Sequence, residues 1–406
     1  MPGVMNSDTF VLDNGGYFLK AGFSNQGSPR LVPNCITKAK SEKRKPFIGD
    51  QIEECRDLSS LFYCLSYQKG YLLNWDTQRK VWAYLFSESC IKAQPRELNL
   101  ILTEPLFNFS SIQEGLNDIF FEEFGFKRIL RIPSPDLAAY KHRLESPEPS
   151  SSSCYATLIV DAGYSFTHVI PYINGIRVRE AIIRIDVGGK LLTNHLKEIV
   201  SYRQLHVLEE TYVMNACKED ACFVSLDFHR DMRESTRGRA SHIARDYVLP
   251  DFHNLRRGVL KSQKDSSLPP SEASDEQVLR LNNERFTVPE ILFSPSDVGV
   301  SQLGIGEAVM QSVLSCPEVC RPWLLQNVLL IGGCAKFQNM KERLEKELRE
   351  LTPHLMDINV YTPEDPISYA WEGGAAFADD PCFLKACVSR KEFMERGHSI
   401  CDERFY

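Results

Sequence analysis

Three features are scarce or missing in this sequence of 406 residues, and each absence excludes a class of protein. The 13 cysteines form no CxxC pair. Cys316 and Cys320 have no histidine cluster to complete a zinc site, so reduced thiols are the simpler interpretation.

The sequence also has no excess of positively charged residues. Because the formal net charge is −7, any contact with nucleic acid must come from a local basic patch.

Long apolar runs are also missing, since none reaches the roughly 20 residues that a membrane-spanning helix needs. The first nine residues are polar and lack the apolar core of a secretory signal. We therefore expect a soluble, intracellular protein without membrane contact. Its length exceeds what one compact core usually accommodates, which favours two lobes.

Two segments half a chain apart repeat one pattern. Residues 10–22 are typical of a strand, a tight turn containing aspartate and glycine, and a second strand. Residues 158–170 show the same order. The repeat predicts two β-hairpins. It also indicates a duplicated lobe, unless two common hairpins resemble each other by coincidence.

Amphipathic segments follow the hairpins. Residues 111–126, 190–200 and 339–351 carry apolar side chains at helical spacing, with polar or charged residues between them. Strands that alternate with such helices are typical of an α/β fold.

A short polar stretch marks the boundary between the predicted lobes. Residues 146–153 are rich in proline and serine and lie just before the second hairpin. We predict a small lobe of residues 1–153 that is completed by residues 362–406. The large lobe is predicted to comprise residues 154–361.

A longer polar stretch interrupts the predicted large lobe. Residues 230–275 are basic at first and then rich in serine and proline. This composition predicts a mobile insertion or a segment that faces a partner. Within it, the apolar residues of the stretch 246–252 could be anchored to the fold.

Both hairpin turns carry residues that suit a phosphate. Asp13 is followed by Asn14 and Gly15 in the first turn, and Asp161 is followed by Gly163 in the second. Glycine in a tight turn lets backbone N–H groups approach a phosphate closely. Carboxylates from both turns could hold the waters of a Mg²⁺ ion bound to that phosphate.

Two other elements could complete such a site. Lys20 lies seven residues after Asp13 and could reach a phosphate as a point charge. A predicted strand ends at Gly332 and Gly333, and ligands of α/β folds bind beyond the carboxyl ends of strands. An ordinary strand-to-helix turn explains this glycine pair equally well.

With these residues in view, the chain resembles the actin family along nearly its whole length. The hairpins DNGGYFLKAGF (13–23) and IVDAGYSFTHVIP (159–171) are similar to the two phosphate loops of that family. Other family-like segments follow in the family's order, namely GYLLNWDTQRKVW (70–82), LTEPLFN (102–108), KEDACFVSLDF (218–228), LIGG (330–333) and YAWEGGAA (369–376). The resemblance implies a bilobal actin-like fold of duplicated ribonuclease-H-like domains around a central nucleotide cleft.

Finer motifs resemble the sixth class of nuclear actin-related proteins. They are GYSFTH (163–168), AIIRIDVGGKLLTNHLKEIVSYRQLHV (181–207), DYVLPDF (246–252), NERFTVPEILFSPSDVG (283–299) and GHSICDERF (397–405). That class belongs to Swr-type chromatin-remodelling complexes, which exchange a variant histone into nucleosomes. The resemblance implies a nuclear protein with a possible cytoplasmic pool. Its implied partners are the remodelling ATPase, a HIT-type zinc-finger subunit and, through the complex, the nucleosome.

The resemblance also implies which residues would bind a nucleotide, either ATP or ADP with Mg²⁺. They occupy the positions of the two phosphate loops, of a pair beside the ribose and adenine, and of the glycines on the adenosine side. In that order they are Asp13, Asn14, Gly15 and Lys20 with Asp161 and Gly163, then Lys218 and Glu219, then Gly332 and Gly333. No catalytic residue and no direct metal ligand is predicted.

Several positions depart from the family pattern. Tyr17 stands in place of a glycine that lies against phosphate, Tyr164 in place of an aspartate that orients Mg²⁺-bound water, and Ser134 in place of the glutamine that positions the attacking water. The other departures are Ala162, Ser165 and Ile367. Phosphoryl transfer depends on positioning and electrostatics, and single groups are typically worth roughly 3–4 kcal/mol. The resemblance therefore implies a pocket that has lost efficient ATP hydrolysis, while nucleotide binding stays open.

Two features remain ambiguous in the sequence. His168 follows the second turn and is more typical of a structural histidine than of a catalytic one. The basic run 38–45 fits a nuclear-import signal, a DNA-facing patch or a solvated loop.

The region that corresponds to the filament-contacting loop of actins, residues 33–57, is short and charged and lacks a glycine-rich apolar tip. Filaments need matched surfaces that repeat head to tail, so we expect no self-polymerisation. Three functions compete: a subunit of a nuclear assembly, an active actin-fold ATPase, and a cytoskeletal actin-related protein. The departures at Tyr17, Tyr164 and Ser134 count against the second, and the sixth-class motifs count against the third.

Overall fold

The computed structural model describes residues 8–40, 42, 45–146, 155–263, 266 and 276–405. The strands are β1 Thr9–Asn14, β2 Phe18–Phe23, β3 Arg30–Pro33, β4 Cys35–Lys38, β5 Pro46–Ile48, β6 Phe62–Leu65, β7 Tyr67–Gln68, β8 Tyr71–Leu72, β9 Asn99–Glu104, β10 Arg128–Pro133, β11 Ala156–Ala162, β12 Thr167–Ile173, β13 Ile176–Arg177, β14 Ile183–Ile185, β15 Arg245–Val248, β16 Val259–Leu260, β17 Val278–Leu281, β18 Val328–Ile331, β19 Val360–Tyr361 and β20 Val388–Ser389. The α-helices are α1 Trp75–Phe86, α2 Ser110–Asp118, α3 Ser134–Glu145, α4 Gly189–Arg203, α5 Thr211–Ala221, α6 Phe228–Ser235, α7 Glu284–Glu290, α8 Ile305–Leu314, α9 Arg321–Leu325, α10 Met340–Leu351, α11 Tyr369–Ala378, α12 Phe383–Ala386, α13 Arg390–Arg396 and α14 His398–Arg404. Short 3₁₀ turns and one π-helical turn, Ile119–Glu123, connect them.

Two six-stranded sheets repeat one topology. In the first sheet, β1 pairs antiparallel with β2 and parallel with β9, which in turn pairs parallel with β10. In the second sheet, β11 pairs antiparallel with β12 and parallel with β18, which pairs parallel with β19. A hairpin followed by parallel strands therefore occurs twice. The predicted α/β, bilobal actin-like fold is confirmed.

The predicted hairpins and helices are present in the structure. The strands β1 and β2 form the first hairpin, and β11 and β12 form the second. The helices predicted at residues 190–200 and 339–351 are α4 and α10. The helix predicted at residues 111–126 is present as α2, which continues directly into the π-helical turn and ends at Glu123.

The lobes share a helical connection at the base of the cleft. The helices α3 and α11 pack so closely that a Cβ on Gly373 would collide with the backbone carbonyl of Leu137. Buried residues of both helices, Ala138 and Tyr369 among them, also pack against Ile159 of the second sheet. The C-terminal strand β20 pairs with β10, so the end of the chain joins the first sheet.

The polar segment in the large lobe is folded where the structure describes it. It contains α6 and the strands β15 and β16, which form a small sheet with β17. Tyr247 within β15 is completely buried, and Phe252 packs against an apolar cluster of the small lobe. The anchored apolar stretch is confirmed, whereas a mobile or partner-facing role for the segment stays a prediction. Residues 267–275 and 147–154 lie outside the described residues.

No helix within the described ranges is both long enough and apolar enough to span a membrane.

Candidate functional site

All ten predicted nucleotide-binding residues line one cavity between the lobes, with a volume of about 500 Å³. The first hairpin turn and the end of β9 form its small-lobe wall. The second hairpin turn, α5 and the glycine turn after β18 form its large-lobe wall. Whether these residues bind a nucleotide remains a prediction, but the structure places them together.

The first turn is held by an internal polar network. Asp13, at the end of β1, accepts a hydrogen bond of 2.6 Å from the Thr103 hydroxyl and pairs with the Lys20 ammonium at 2.8 Å. The hairpin register places Asp13 directly opposite Lys20. The backbone N–H of Asn14 donates to the same Thr103 hydroxyl at 2.8 Å. Lys20 is thus already neutralised by a carboxylate of its own hairpin.

The second turn presents a carboxyl with a raised pKa. Burial raises the pKa of Asp161 from 3.8 to about 6, with the Lys20 charge opposing the shift and the Asp13 charge adding to it. The hairpin register places His168 opposite Asp161. Burial and the Arg184 charge lower the pKa of His168 to about 3, so its ring is neutral at physiological pH. Its Nε2 atom is buried and has no partner among the described groups.

Replacing Asp161 by asparagine is expected to stabilise the fold in a pH-dependent way. Because the folded-state pKa lies above the unfolded value of 3.8, ionised Asp161 opposes folding, and this penalty is complete above about pH 6. Two pKa units correspond to about 2.7 kcal/mol. Since part of the residue is exposed, we expect about 2 kcal/mol at pH 8, shrinking as the pH falls from 6 to 4.

Urea unfolding of wild type and Asp161→Asn at pH 8, 6 and 4.5 measures this difference. Asp357→Asn removes the same charge from an exposed loop and is the matched control. A gain from Asp161→Asn that is equal at all three pH values would contradict the burial effect.

The large-lobe wall contains a buried ammonium with neutral partners. Lys218, on α5, donates to the carbonyl of Gly189 at 3.1 Å, to Thr193 Oγ1 at 2.9 Å and to Asn215 Oδ1 at 3.0 Å. Burial lowers its pKa. Asn215 also donates from Nδ2 to Glu219 Oε1 at 2.7 Å. The Lys218 bond fixes the orientation of the Asn215 amide, because only its oxygen can accept.

The hydrogen-bond and ion-pair partners of these predicted residues were not predicted from the sequence. Asn215 lies three residues before Lys218, one helical turn away, and this spacing is a usable signal once α5 is known. Thr103 lies within the buried strand β9, but nothing in the sequence of that strand indicates which carboxylate it contacts. Arg257 pairs with Glu219 at 3.2 Å across 38 residues of chain, and no local pattern reveals this pair.

The positions that depart from the family pattern also gather at the cavity. Tyr17, Tyr164, Ser165, Ser134 and Ile367 all line it. The sixth departure, Ala162, is instead completely buried at the end of β11.

A sequence model of the actin family matches residues 4–406. The chain belongs to the actin family. A protein of Drosophila melanogaster named Actin-related protein 6 is 44% identical over 401 residues, which cover 98% of this chain and 100% of that protein. Proteins of the same name from Arabidopsis thaliana (37% identity over 421 residues; 98% and 100% covered) and Dictyostelium discoideum (33% over 467 residues; 99% and 95% covered) are also similar. The predicted resemblance to sixth-class actin-related proteins is confirmed.

Actin-family proteins generally bind ATP or ADP with Mg²⁺, and the cavity is a partial fit to that ligand. Its volume of about 500 Å³ lies within the usual range for small-molecule sites. No group of three or more histidine, cysteine, aspartate or glutamate side chains suited to a metal occurs in the described part of the chain. The two hairpin turns approach each other closely, since the rings of Tyr17 and Tyr164 lie 4.7 Å apart, centroid to centroid. The cavity volume suits a nucleotide, but this contact narrows the part of the cavity that lies between the turns.

Proposed function

We propose that this chain is a non-catalytic actin-related subunit of a nuclear chromatin-remodelling complex that exchanges a variant histone into nucleosomes. Its role would be assembly of the complex and engagement of the nucleosome. The proposed partners are the remodelling ATPase and a HIT-type zinc-finger subunit. The proposed location is the nucleus, with a possible cytoplasmic pool, and the chain is not expected to form filaments.

The observation that carries the assembly role is similarity over the full length to proteins named Actin-related protein 6. The family resemblance implies, for the sixth class, a place in remodelling complexes.

The composition of the cavity wall supports the non-catalytic part of the proposal. Hydrolysis of ATP requires a group that orients the attacking water. Among the described residues that line the cavity there is no glutamine, and the carboxamides present belong to Asn14 and Asn215. The Asn14 side chain already makes two hydrogen bonds: its Nδ2 donates to the Tyr67 hydroxyl at 2.6 Å, and its Oδ1 accepts from Trp82 Nε1 at 3.3 Å. Ser134, at the start of α3, offers only a short hydroxyl.

An affinity purification and an ATPase assay test the two parts of the proposal. The tagged full-length chain is recovered from nuclear extract, its partners are identified by mass spectrometry, and the free recombinant chain is assayed for phosphate release from Mg-ATP. We expect a remodelling ATPase and a zinc-finger subunit in stoichiometric amounts, and phosphate release within about twofold of buffer. Recovery of dynein-associated or filament proteins would refute the assembly role. Sustained turnover by the free chain would refute the non-catalytic role.

A further inference from the structure

Tyr17 joins the two hairpin turns across the cleft. Its ring lies 4.7 Å, centroid to centroid, from the ring of Tyr164, which belongs to the opposite turn. Aromatic pairs at this separation are attractive beyond the area they bury. Beside this pair, a Cβ on Gly16 would lie 2.9 Å from Ser165 Oγ, so the two turns approach each other closely here as well. Protein atoms therefore occupy part of the space between the turns, next to the open cavity.

The hydroxyl of Tyr17 is bound on the far side of the cleft. It accepts a hydrogen bond of 3.0 Å from Asn215 Nδ2 in α5. Asn215 is oriented by Lys218, so its amide is pre-positioned to donate to the tyrosine. Burial, with a contribution from the Glu219 charge, raises the pKa of Tyr17 well above its ordinary value. The hydroxyl therefore stays neutral at physiological pH.

Two backbone donors of the hairpin turns, one from each lobe, already make hydrogen bonds within the protein. The N–H of Gly15 donates to the carbonyl of Asp13 at 3.1 Å, and the N–H of Gly163 donates to the carbonyl of Phe166 at 3.0 Å. Lys20 is paired with Asp13. A phosphate at this position would have to displace three internal bonds and approach two aspartates.

A second set of bonds joins the lobes away from the hairpins. Ser60 donates to the Glu210 carboxylate from its backbone N–H and from its hydroxyl, both at 3.0 Å. Arg256 donates to the carbonyls of Glu53 and Cys55, each at 2.8 Å. Carboxylate and guanidinium groups make hydrogen bonds roughly twice as strong as neutral pairs.

Apolar and cationic contacts reinforce this second set. Tyr212 and Phe252 of the large lobe pack against a cluster of the small lobe that includes Phe47. Arg184 of the large lobe donates to the carbonyl of Lys69 at 2.8 Å and to the Tyr71 hydroxyl at 3.0 Å. The lobes thus bind each other at several separate places along the cleft.

We propose that Tyr17 is an internal occupant of the cleft that takes the place of nucleotide phosphates, so that the two lobes stay closed without any bound nucleotide. Tyr17 bridges the turns from one lobe to Tyr164 and Asn215 of the other. In this arrangement closure belongs to the apo protein, and binding of Mg-ATP or Mg-ADP is neither required nor favoured. The proposal is independent of which complex the chain joins.

The first test uses the wild-type full-length chain alone. We expect less than about 0.1 mole of nucleotide per mole of protein in acid extracts. We expect Mg-ATP or Mg-ADP at about 1 mM to move the melting temperature by less than about 1 °C. In amide hydrogen exchange, Gly15 and Gly163 should be protected without nucleotide and unchanged with it. Stoichiometric resident nucleotide, a saturable upward shift, or protection that appears only with nucleotide would overturn the proposal.

Two variants then test the role of Tyr17 itself. Tyr17→Gly removes the ring, and we expect faster exchange at Gly163 and in α5, together with a melting-temperature shift of several degrees on adding Mg-ATP. Tyr17→Phe keeps the ring contact and loses only the bond to Asn215. It is therefore the matched control and should remain insensitive to nucleotide.

If both variants behave as wild type, Tyr17 does not hold the cleft closed. If Tyr17→Gly does not fold, the wild-type exchange data still decide whether closure needs nucleotide. The affinity purification tests the assembly role, and these experiments test closure of the cleft without nucleotide. Failure of one proposal can therefore be distinguished from failure of the other.

Discussion

Replacing Arg131 by methionine is expected to lower the free energy of unfolding by about 3–5 kcal/mol. Arg131 and Glu104 form an ion pair at 3.0 Å whose side chains are only 2% and 4% exposed. The substitution keeps the apolar stem but leaves the Glu104 carboxylate buried without its cation. It also removes the hydrogen bond from the guanidinium to Asn117, at 2.6 Å. Unpaired buried charge is costly because neither water nor a partner stabilises it.

Urea unfolding of matched variants measures this loss. Arg79→Met is the surface control, since Arg79 and Glu123 pair at 3.3 Å with about half of each side chain exposed, and it should cost less than about 0.5 kcal/mol. Adding Glu104→Gln to Arg131→Met removes the orphaned charge and should recover part of the loss. A cost for Arg131→Met no larger than the surface control would show that Glu104 is stabilised in another way.

The Arg131–Glu104 pair matters for the cleft because Glu104 lines it. Glu104 also accepts hydrogen bonds from Asn108 and from Gln113, at 3.0 Å each. These bonds hold the carboxylate to the wall of its own lobe. With Lys20 paired to Asp13 as well, the charged groups around the first turn are satisfied within the small lobe. This internal satisfaction accords with a cleft that closes without a ligand.

The parts of the fold that sequence predicts well are those fixed by short, local patterns. The two hairpins follow from a strand, an aspartate–glycine turn and a second strand, each within about a dozen residues. The same patterns brought Asp13 and Asp161 into one predicted site, and the structure places both at one cavity. Motif order along the chain added Lys218, Glu219 and the glycines after β18.

The parts that sequence does not predict depend on contacts between distant residues. Tyr17 and Asn215 are 198 positions apart, and nothing near either residue indicates their hydrogen bond. The polar composition of residues 230–263 gives no sign that Tyr247 within them is completely buried.

The π-helical turn after α2 was missed for a different reason. Ile119, Phe120 and Phe121 are consecutive and all buried. A widened turn presents more consecutive side chains to the core than a regular helix does. The spacing of the apolar residues is the same as in an ordinary amphipathic helix, so it does not indicate a π-helical turn.

Replacing Trp371 by alanine is expected to detach the C-terminal segment from the small lobe, at a cost of about 3–5 kcal/mol. Trp371, on α11, is completely buried, and its Nε1 donates to the carbonyl of Val11 at 3.0 Å. Truncation leaves a cavity beside the central strand β1 and removes the hydrogen bond from the indole to that strand. Because β1 also carries Asp13, the first turn should lose order with it.

Thermal unfolding and limited proteolysis measure this effect. Trp323 is 42% exposed, so Trp323→Ala is the matched control and should cost less than half as much. Trp371→Phe keeps a ring but loses the hydrogen bond, so its loss of stability should lie between those of Trp371→Ala and Trp323→Ala. We expect protease cleavage in Trp371→Ala to begin between residues 362 and 406, because that segment is bound to the first sheet through α11 and β20. Cleavage that begins elsewhere, or equal losses for the two tryptophans, would mean that the small lobe does not depend on its C-terminal segment.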